Sequence, residues 1–312
     1  MYKFSKWLQT TAFKNHSVAV ASADASFRKY YRLSLEDETV LLMDSSLEKH
    51  SLAPFLDVTE RLLNSGVNAP LVLEKNIEEG FLILKDFGNV HYLNVLNGEN
   101  YTTLYRDAMD TIVAMQRAEV SGLPLYDKKF LHVEMDLMQD WYLEKLLSLT
   151  LSEAQKELIQ TSLDTISNVV LEQPQDVFVH RDFHSRNIMI PPQDTIGVID
   201  YQDAMNGAIT YDLVSLLKDC YIEFPRDEIE KLVLEFRDKK GLQVADATFI
   251  KWFDFMGLQR HIKVLGIFSR LFLRDGKDGY LKDIPLTLKY VLDTASRYDE
   301  TKELAKFLKE VQ

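Results

Sequence analysis

Asp182, Asn187 and Asp200 are the residues whose types and spacing in this chain could do chemistry. Asp182 lies in "HRDFHSRN", directly after the apolar run "VFV", and Asp200 closes the apolar run "IGVID". The pattern predicts a strand ending at "VFVH", a loop over "RDFHSRN", a second short strand "IMI", a turn at "PPQD" and a third strand "IGVID". All three polar residues then stand at or just beyond strand ends, and a hairpin-like arrangement would bring them close together. Two carboxylates and an amide oxygen are hard donors of the kind Mg²⁺ prefers. Phosphoryl transfer asks for metal on the phosphates, in-line placement and an acceptor for the nucleophile's proton. On this reading Asp182 takes the proton, Asn187 and Asp200 hold Mg²⁺ and through it the nucleotide, and His184 lies near the transferred phosphoryl group. An isolated Asp-x-x-x-x-Asn is usually a solvated turn. His-Arg-Asp, an Asn five residues after the Asp, and an Asp closing a later apolar strand are together a kinase pattern.

The elements that must position these residues divide in two. The first ~85 residues read as β-rich, with strands "SVAVA", "FRKYYRLSL" and "TVLLMD", a helix over "LAPFLDVTERLLNSG", and strands "PLVLEK" and "GFLILKDFG". From there helices dominate: "YTTLYRDAMDTIVAMQRA", "HVEMDLMQDWYLEKLLSL", and "SEAQKELIQTSLDTISNVVLEQ" opening on a possible capping box of Ser152 and Gln155. The expected fold is α+β and bilobal, with a small β-rich N-lobe over residues 1–88 and a larger, mostly helical C-lobe over residues 89–312. The boundary falls near residues 85–90, and such junctions commonly carry ligands.

Composition narrows the partners. A formal net charge of −12 argues against broad nucleic-acid or anionic-membrane contact, but a metal ion can still neutralise a phosphate locally. Cys220 is the single cysteine, so no disulfide framework forms within the chain. The first residues lack the apolar core of a signal peptide, and no window reaches bilayer-spanning length. The expectation is a cytoplasmic protein with no nucleic-acid, membrane or obligate protein partner.

The chain resembles the aminoglycoside phosphotransferase-like kinases, and within them the anomeric sugar kinases that phosphorylate N-acetylmuramate and N-acetylglucosamine in bacterial cell-wall recycling. The resemblance covers nearly the whole chain. It rests on "SADASFRKYYRL", "VEMDLMQDWYL", "VHRDFHSRNIM", "GVIDYQDAMNGAITYDLVSLLKDCY", "MGLQRHIKVLGIFSRL" and "RDGKDGYLKDIP". It implies a protein-kinase-like fold, ATP and Mg²⁺, and an amino sugar as acceptor. It also implies a hinge whose backbone at Lys85, Asp86 and Phe87 meets adenine, and a turn at Ala25, Ser26 and Phe27 over the phosphates, with Arg28 as a phosphate contact. Two features depart from the pattern. No glycine precedes Gly66, where the family commonly carries "GDAS" in that turn. Met43 and Asp44 stand where a protein kinase places its phosphate-binding lysine. Arg28 or Lys29 is the expected substitute.

On the acceptor side, Gln202 and Asp203 follow the second metal-ligand candidate and suit the reading of sugar hydroxyls, although Asp203 equally suits a loop cap. Arg260 and Lys263 share a helix face. Either could meet the lactyl carboxylate of N-acetylmuramate, or form a structural ion pair. Glu134 and Trp141, seven apart, would face one way on an α-helix. The anomeric hydroxyl is more acidic than an ordinary alcohol, so one carboxylate suffices as base. Two alternatives stay open: a kinase for another small hydroxylated molecule such as an aminoglycoside or choline, and a nucleotide-binding regulator without turnover.

Overall fold

A computed structural model describes residues 2–22, 28–192 and 195–311, and divides the chain into two compact units. The first comprises Met1–Val95 and Arg186–Asp203; the second comprises Leu96–Ser185 and Ala204–Gln312. The expected Ala25, Ser26 and Phe27 turn lies outside the described residues.

The first unit is built on a five-stranded antiparallel sheet of order β1-β2-β3-β5-β4. Its strands are β1 (Ser17–Ser22), β2 (Lys29–Leu35), β3 (Glu38–Asp44), β4 (Val72–Asn76) and β5 (Phe81–Lys85). Alternation sends Tyr31 and Leu33, Val40 and Leu42, and Phe81 and Ile83 to one face. There they bury Phe4 and Leu8, which flank and end the short helix α1 (Ser5–Leu8). Helix α2 (Leu52–Asn64) enters between β3 and β4 and buries Phe55, Val58 and Leu62 on one stripe. After β5 comes the single-turn helix α3 (Tyr92–Val95). The segment from Arg186 adds a two-strand hairpin, in which Ile188 pairs with Val198 and Met189 with Gly197. Gly197 has to be a glycine, because a Cβ there would come within 2.6 Å of the buried Phe87 ring.

The second unit is mostly helical. It contains α4 (Tyr101–Met115), α5 (Lys128–Leu137), α6 (Glu153–Glu172), α7 (Tyr211–Leu217), α8 (Arg226–Lys239), α9 (Asp246–Asp275), α10 (Ile284–Ala295) and α11 (Lys302–Glu310). Val177–Val179 and Met205–Gly207 form a short antiparallel pair from which the loop at 180–187 departs. The capping box at α6 forms as the sequence suggests: Ser152 Oγ accepts from Gln155 N at 3.3 Å, and Gln155 Oε1 accepts from Ser152 N at 2.9 Å.

One helix differs from its sequence reading. α5 passes directly into a π-helix over Met138–Leu146. The wider i→i+5 turns shift the phase of every side chain after Met138, so the α-helical pairing of Glu134 with Trp141 does not carry across the junction. Glu134 is buried, whereas Trp141 is half-buried with Lys145 Nζ 3.6 Å from its ring centre.

Candidate active site

In the second unit the loop after Val179 is held by acids from α7 and its C-terminal end. Asp212, in the first turn of α7, accepts from the backbone N–H of His180 at 2.8 Å and of Arg181 at 3.0 Å. This clamp holds Arg181 at φ +78°, a conformation uncommon for a side-chain-bearing residue. Burial raises the Asp212 carboxyl to about 6, against the pull of the His180 ring and the two backbone N–H groups. Further along, Asp219 accepts from Ser185 N at 2.9 Å and from the Ser185 hydroxyl. The loop is therefore pinned at both ends, with Asp182 and His184 in between. His184 N donates to the Asp182 carbonyl at 2.9 Å, and its ring sits edge-on to Tyr221.

Asp182 is half-buried and faces a set of cations. Burial pushes its carboxyl up, but the charges of Lys263, His184, Arg260 and Arg181 outweigh burial and hold it below the ordinary carboxylate value. Two of these cations are organised by Glu134, which accepts from Arg181 Nη2 at 2.6 Å and Lys263 Nζ at 2.8 Å, as well as from Gln259 Nε2 at 3.2 Å and the Tyr126 hydroxyl. Burial alone would raise the Glu134 carboxyl; Lys263 and Arg181 bring it below its usual value. Lys263 also donates to the Tyr211 hydroxyl at 3.1 Å.

In the first unit the short hairpin brings Asn187 and Asp200 together, with Asn187 Nδ2 3.4 Å from Asp200 Oδ2. Gln202 Nε2 donates to the other Asp200 oxygen at 3.1 Å, and Asp203 is exposed. Asp200 is exposed and takes φ +65°. Next to it, Tyr201 is locked into α2: its hydroxyl lies 2.8 Å from Thr59 Oγ1, and its ring stacks on Phe55. The carboxylate of Asp200 and the amide of Asn187, which can turn its oxygen inward, fit Mg²⁺. That ion is commonly held by one or two protein oxygens and completes its shell with water and phosphate. Among the described residues no group of three or more His, Cys, Asp or Glu offers an all-protein metal cage.

The hinge candidates are partly committed. Asp86 is gripped by Arg32 Nε at 2.5 Å and Nη2 at 3.0 Å, and caps Gly88 N at 2.9 Å. Lys85 N donates to Leu71 O at 2.9 Å, while Phe87 packs beneath Gly197. Arg28 is buried with its Nε 3.4 Å from Glu48 Oε1 and its guanidinium 5.8 Å from the Phe55 ring centre. Lys29, the other expected cation, is exposed and paired in the ladder with Asp44.

The sequence reading missed Glu134 as the hub and Asp219 as the second anchor. Their partners lie far away in the chain, so no local spacing announces them. The one available signal was an acid on a helix whose neighbours Leu131 and Met135 are both buried.

The model of the phosphotransferase enzyme family matches residues 17–245. The chain belongs to that family. The N-acetylmuramate/N-acetylglucosamine kinase of Neisseria meningitidis serogroup B is 39% identical to it, covering 99% of this chain and 95% of the relative. The kinase of that name from Pseudomonas aeruginosa is 37% identical, covering 92% and 86%. Among solved structures, an ADP-bound aminoglycoside phosphotransferase superposes with a TM-score of 0.65 at 18% identity, over 94% of this chain and 98% of its own. The choline kinase of Streptococcus pneumoniae superposes with a TM-score of 0.64 at 12% identity, over 93% and 98%. The α+β fold of these kinases is thus the fold of this chain, and the chain is a phosphotransferase acting on a hydroxyl acceptor.

Proposed function

We propose that this phosphotransferase moves the γ-phosphoryl group of ATP to the anomeric hydroxyl of N-acetylmuramate and N-acetylglucosamine. The observation that carries the reading is the clamped loop, which presents the Asp182 carboxylate among Lys263, Arg260, Arg181 and His184. A base held below the ordinary carboxylate range is a weak one. It matches a hydroxyl more acidic than an alkyl alcohol, and the anomeric hydroxyl is such a group. The names of the relatives at 39% and 37% identity support the choice of sugar.

Asp182 orients the acceptor hydroxyl and takes its proton as the bond to phosphorus forms. His184 flanks the transferred group. Asn187 and Asp200 would hold Mg²⁺, which when bound counters the charge of the phosphates. Gln202 steers the Asp200 carboxylate and, with Asp203, reads sugar hydroxyls. Backbone groups around Lys85, Asp86 and Phe87 receive adenine; Ala25, Ser26 and Phe27 cover the phosphates; and Arg28, steadied by Glu48, supplies the cation that strand β3 lacks. ATP as donor makes the cytoplasm the working compartment, and no helix among the described residues is long and apolar enough to cross a membrane.

The test is transfer from ATP to each sugar with the purified chain, followed by phosphorus NMR of the product. An anomeric phosphate from both sugars is expected. A phosphate on another hydroxyl, or turnover only with aminoglycosides or choline, overturns the reading.

A further inference from the structure

Helix α9 buries two cations one turn apart, and their surroundings differ. Lys263 is neutralised: its ammonium lies 2.8 Å from Glu134 Oε1 and donates to the Tyr211 hydroxyl. Arg260 is only 4% exposed, and its one hydrogen bond among the described residues runs from Nη1 to the Cys220 thiol at 3.5 Å. No carboxylate there comes within ion-pairing distance of it. A thiol is a weak acceptor, and a guanidinium offers five donors. Retaining a buried, unmatched cation is costly unless an anion arrives to complete it.

The open part of Arg260 is reachable. Its Nε and Nη2 make no hydrogen bond among the described residues and are not among the side-chain atoms sealed from solvent. Its hydrogen-bond partner Cys220 directly follows Asp219, which anchors Ser185 three residues after Asp182, so the guanidinium lies beside the loop that carries the base, and the charges of Asp182 and Asp219 act on it. A guanidinium fork suits a carboxylate, because two parallel N–H donors match its two oxygens.

We propose that Arg260 is the specificity-determining residue that receives the carboxylate of an acidic amino sugar, while Lys263 only braces Glu134. This rests on the function proposed above and deepens it. N-acetylmuramate differs from N-acetylglucosamine by one group, a lactyl ether on the C3 oxygen that ends in a carboxylate. That group leaves the ring on the carbon next but one to the anomeric centre. With the anomeric hydroxyl at Asp182, the carboxylate is within a ring's width of the base and can meet Arg260. In N-acetylglucosamine the same donors face water.

A residue that merely keeps Asp182 ionised would affect both sugars alike, which gives the test. Wild type, Arg260→Gln and Arg260→Lys are assayed on both sugars and on the neutral amide of N-acetylmuramate. Arg260→Gln should lower kcat/KM for N-acetylmuramate by about 10- to 100-fold, chiefly through KM, as expected for loss of a charge-assisted hydrogen bond. It should cost N-acetylglucosamine roughly three- to tenfold less, that smaller loss being the share of Arg260 in keeping Asp182 ionised, and Arg260→Lys should restore part of the N-acetylmuramate loss. Wild type should lose most of its activity on the amide, and the substitution should take from the amide no more than it takes from N-acetylglucosamine. The amide measurement on wild type stands even if both variants misfold. Equal losses on both sugars, or an amide as good as the acid, overturn the role of Arg260 alone. A wild type inactive on both sugars overturns the parent function and this role together.

Discussion

At the scale of single residues, the site is a problem in placing charge. For its proposed role as base, Asp182 has to stay ionised in a half-buried position, and the charges of Lys263, His184, Arg260 and Arg181 favour it. Replacing Asp182 with Asn removes the proposed proton acceptor while keeping size and shape. Turnover should fall by about 100- to 10,000-fold, the range for loss of a general base, with ADP affinity by calorimetry unchanged. Turnover within about tenfold of wild type would remove Asp182 from the chemistry. The loop position of Asp182, and the pairing of Asn187 with Asp200, were legible because strand ends and loop length fix their local spacing. Glu134 was not, because its role exists only once Arg181 and Lys263 arrive from distant parts of the chain. The same reason left Arg260 and Lys263 indistinguishable in sequence: both are cations on one face, and only their partners separate them.

At the scale of elements, the alternation of Tyr31, Leu33, Val40 and Leu42 was readable as strands, and the β-β-β-α-β-β order followed from it. The π-helix after Leu137 was not readable, since hydrophobic period does not separate a wide turn from an α-helical one over nine residues. At that junction α5 meets α9 closely. A Cβ on Gly266 would fall on the Leu137 carbonyl and Cβ, so only glycine allows the approach. Gly266 lies three residues after Lys263, and Leu137 three after Glu134, so the two contacts share facing stripes of the same helix pair. Close packing at one therefore sets the reach of the ion pair at the other. Gly266→Ala should cost about 1–3 kcal/mol, as overpacking does, and lower the melting temperature seen by calorimetry. Gly279→Ala, where nothing lies within 4 Å of the added carbon, is the control and should melt as wild type does. Equal melting of the two variants would show that α5 and α9 can separate at no cost.

For the whole molecule, buried titratable groups tie stability to pH, and His261 is the clearest of them. It is fully buried on α9 beside Arg260, its ring stacks on Tyr290, and its Nε2 donates to the Lys218 carbonyl at 2.9 Å. Burial, reinforced by the Arg260 charge, lowers its pKa from 6.5 to about 3. Between those values the unfolded chain binds a proton that the folded chain refuses. Stability therefore falls as pH drops through 6.5 towards 3, while above 6.5 both states are neutral and His261 contributes no slope. From pH ~7.5 to ~5 this one group should remove roughly 2 kcal/mol of unfolding free energy. His261→Gln keeps a donor for the Lys218 carbonyl but cannot take up the proton. Urea unfolding at the two pH values should show wild type losing roughly 2 kcal/mol more than His261→Gln. Parallel losses in both proteins would mean that another group controls the acid side. Since Lys218 leads directly into Asp219, which anchors Ser185, acid weakening at His261 should reach the loop that carries Asp182 before the rest of the second unit unfolds.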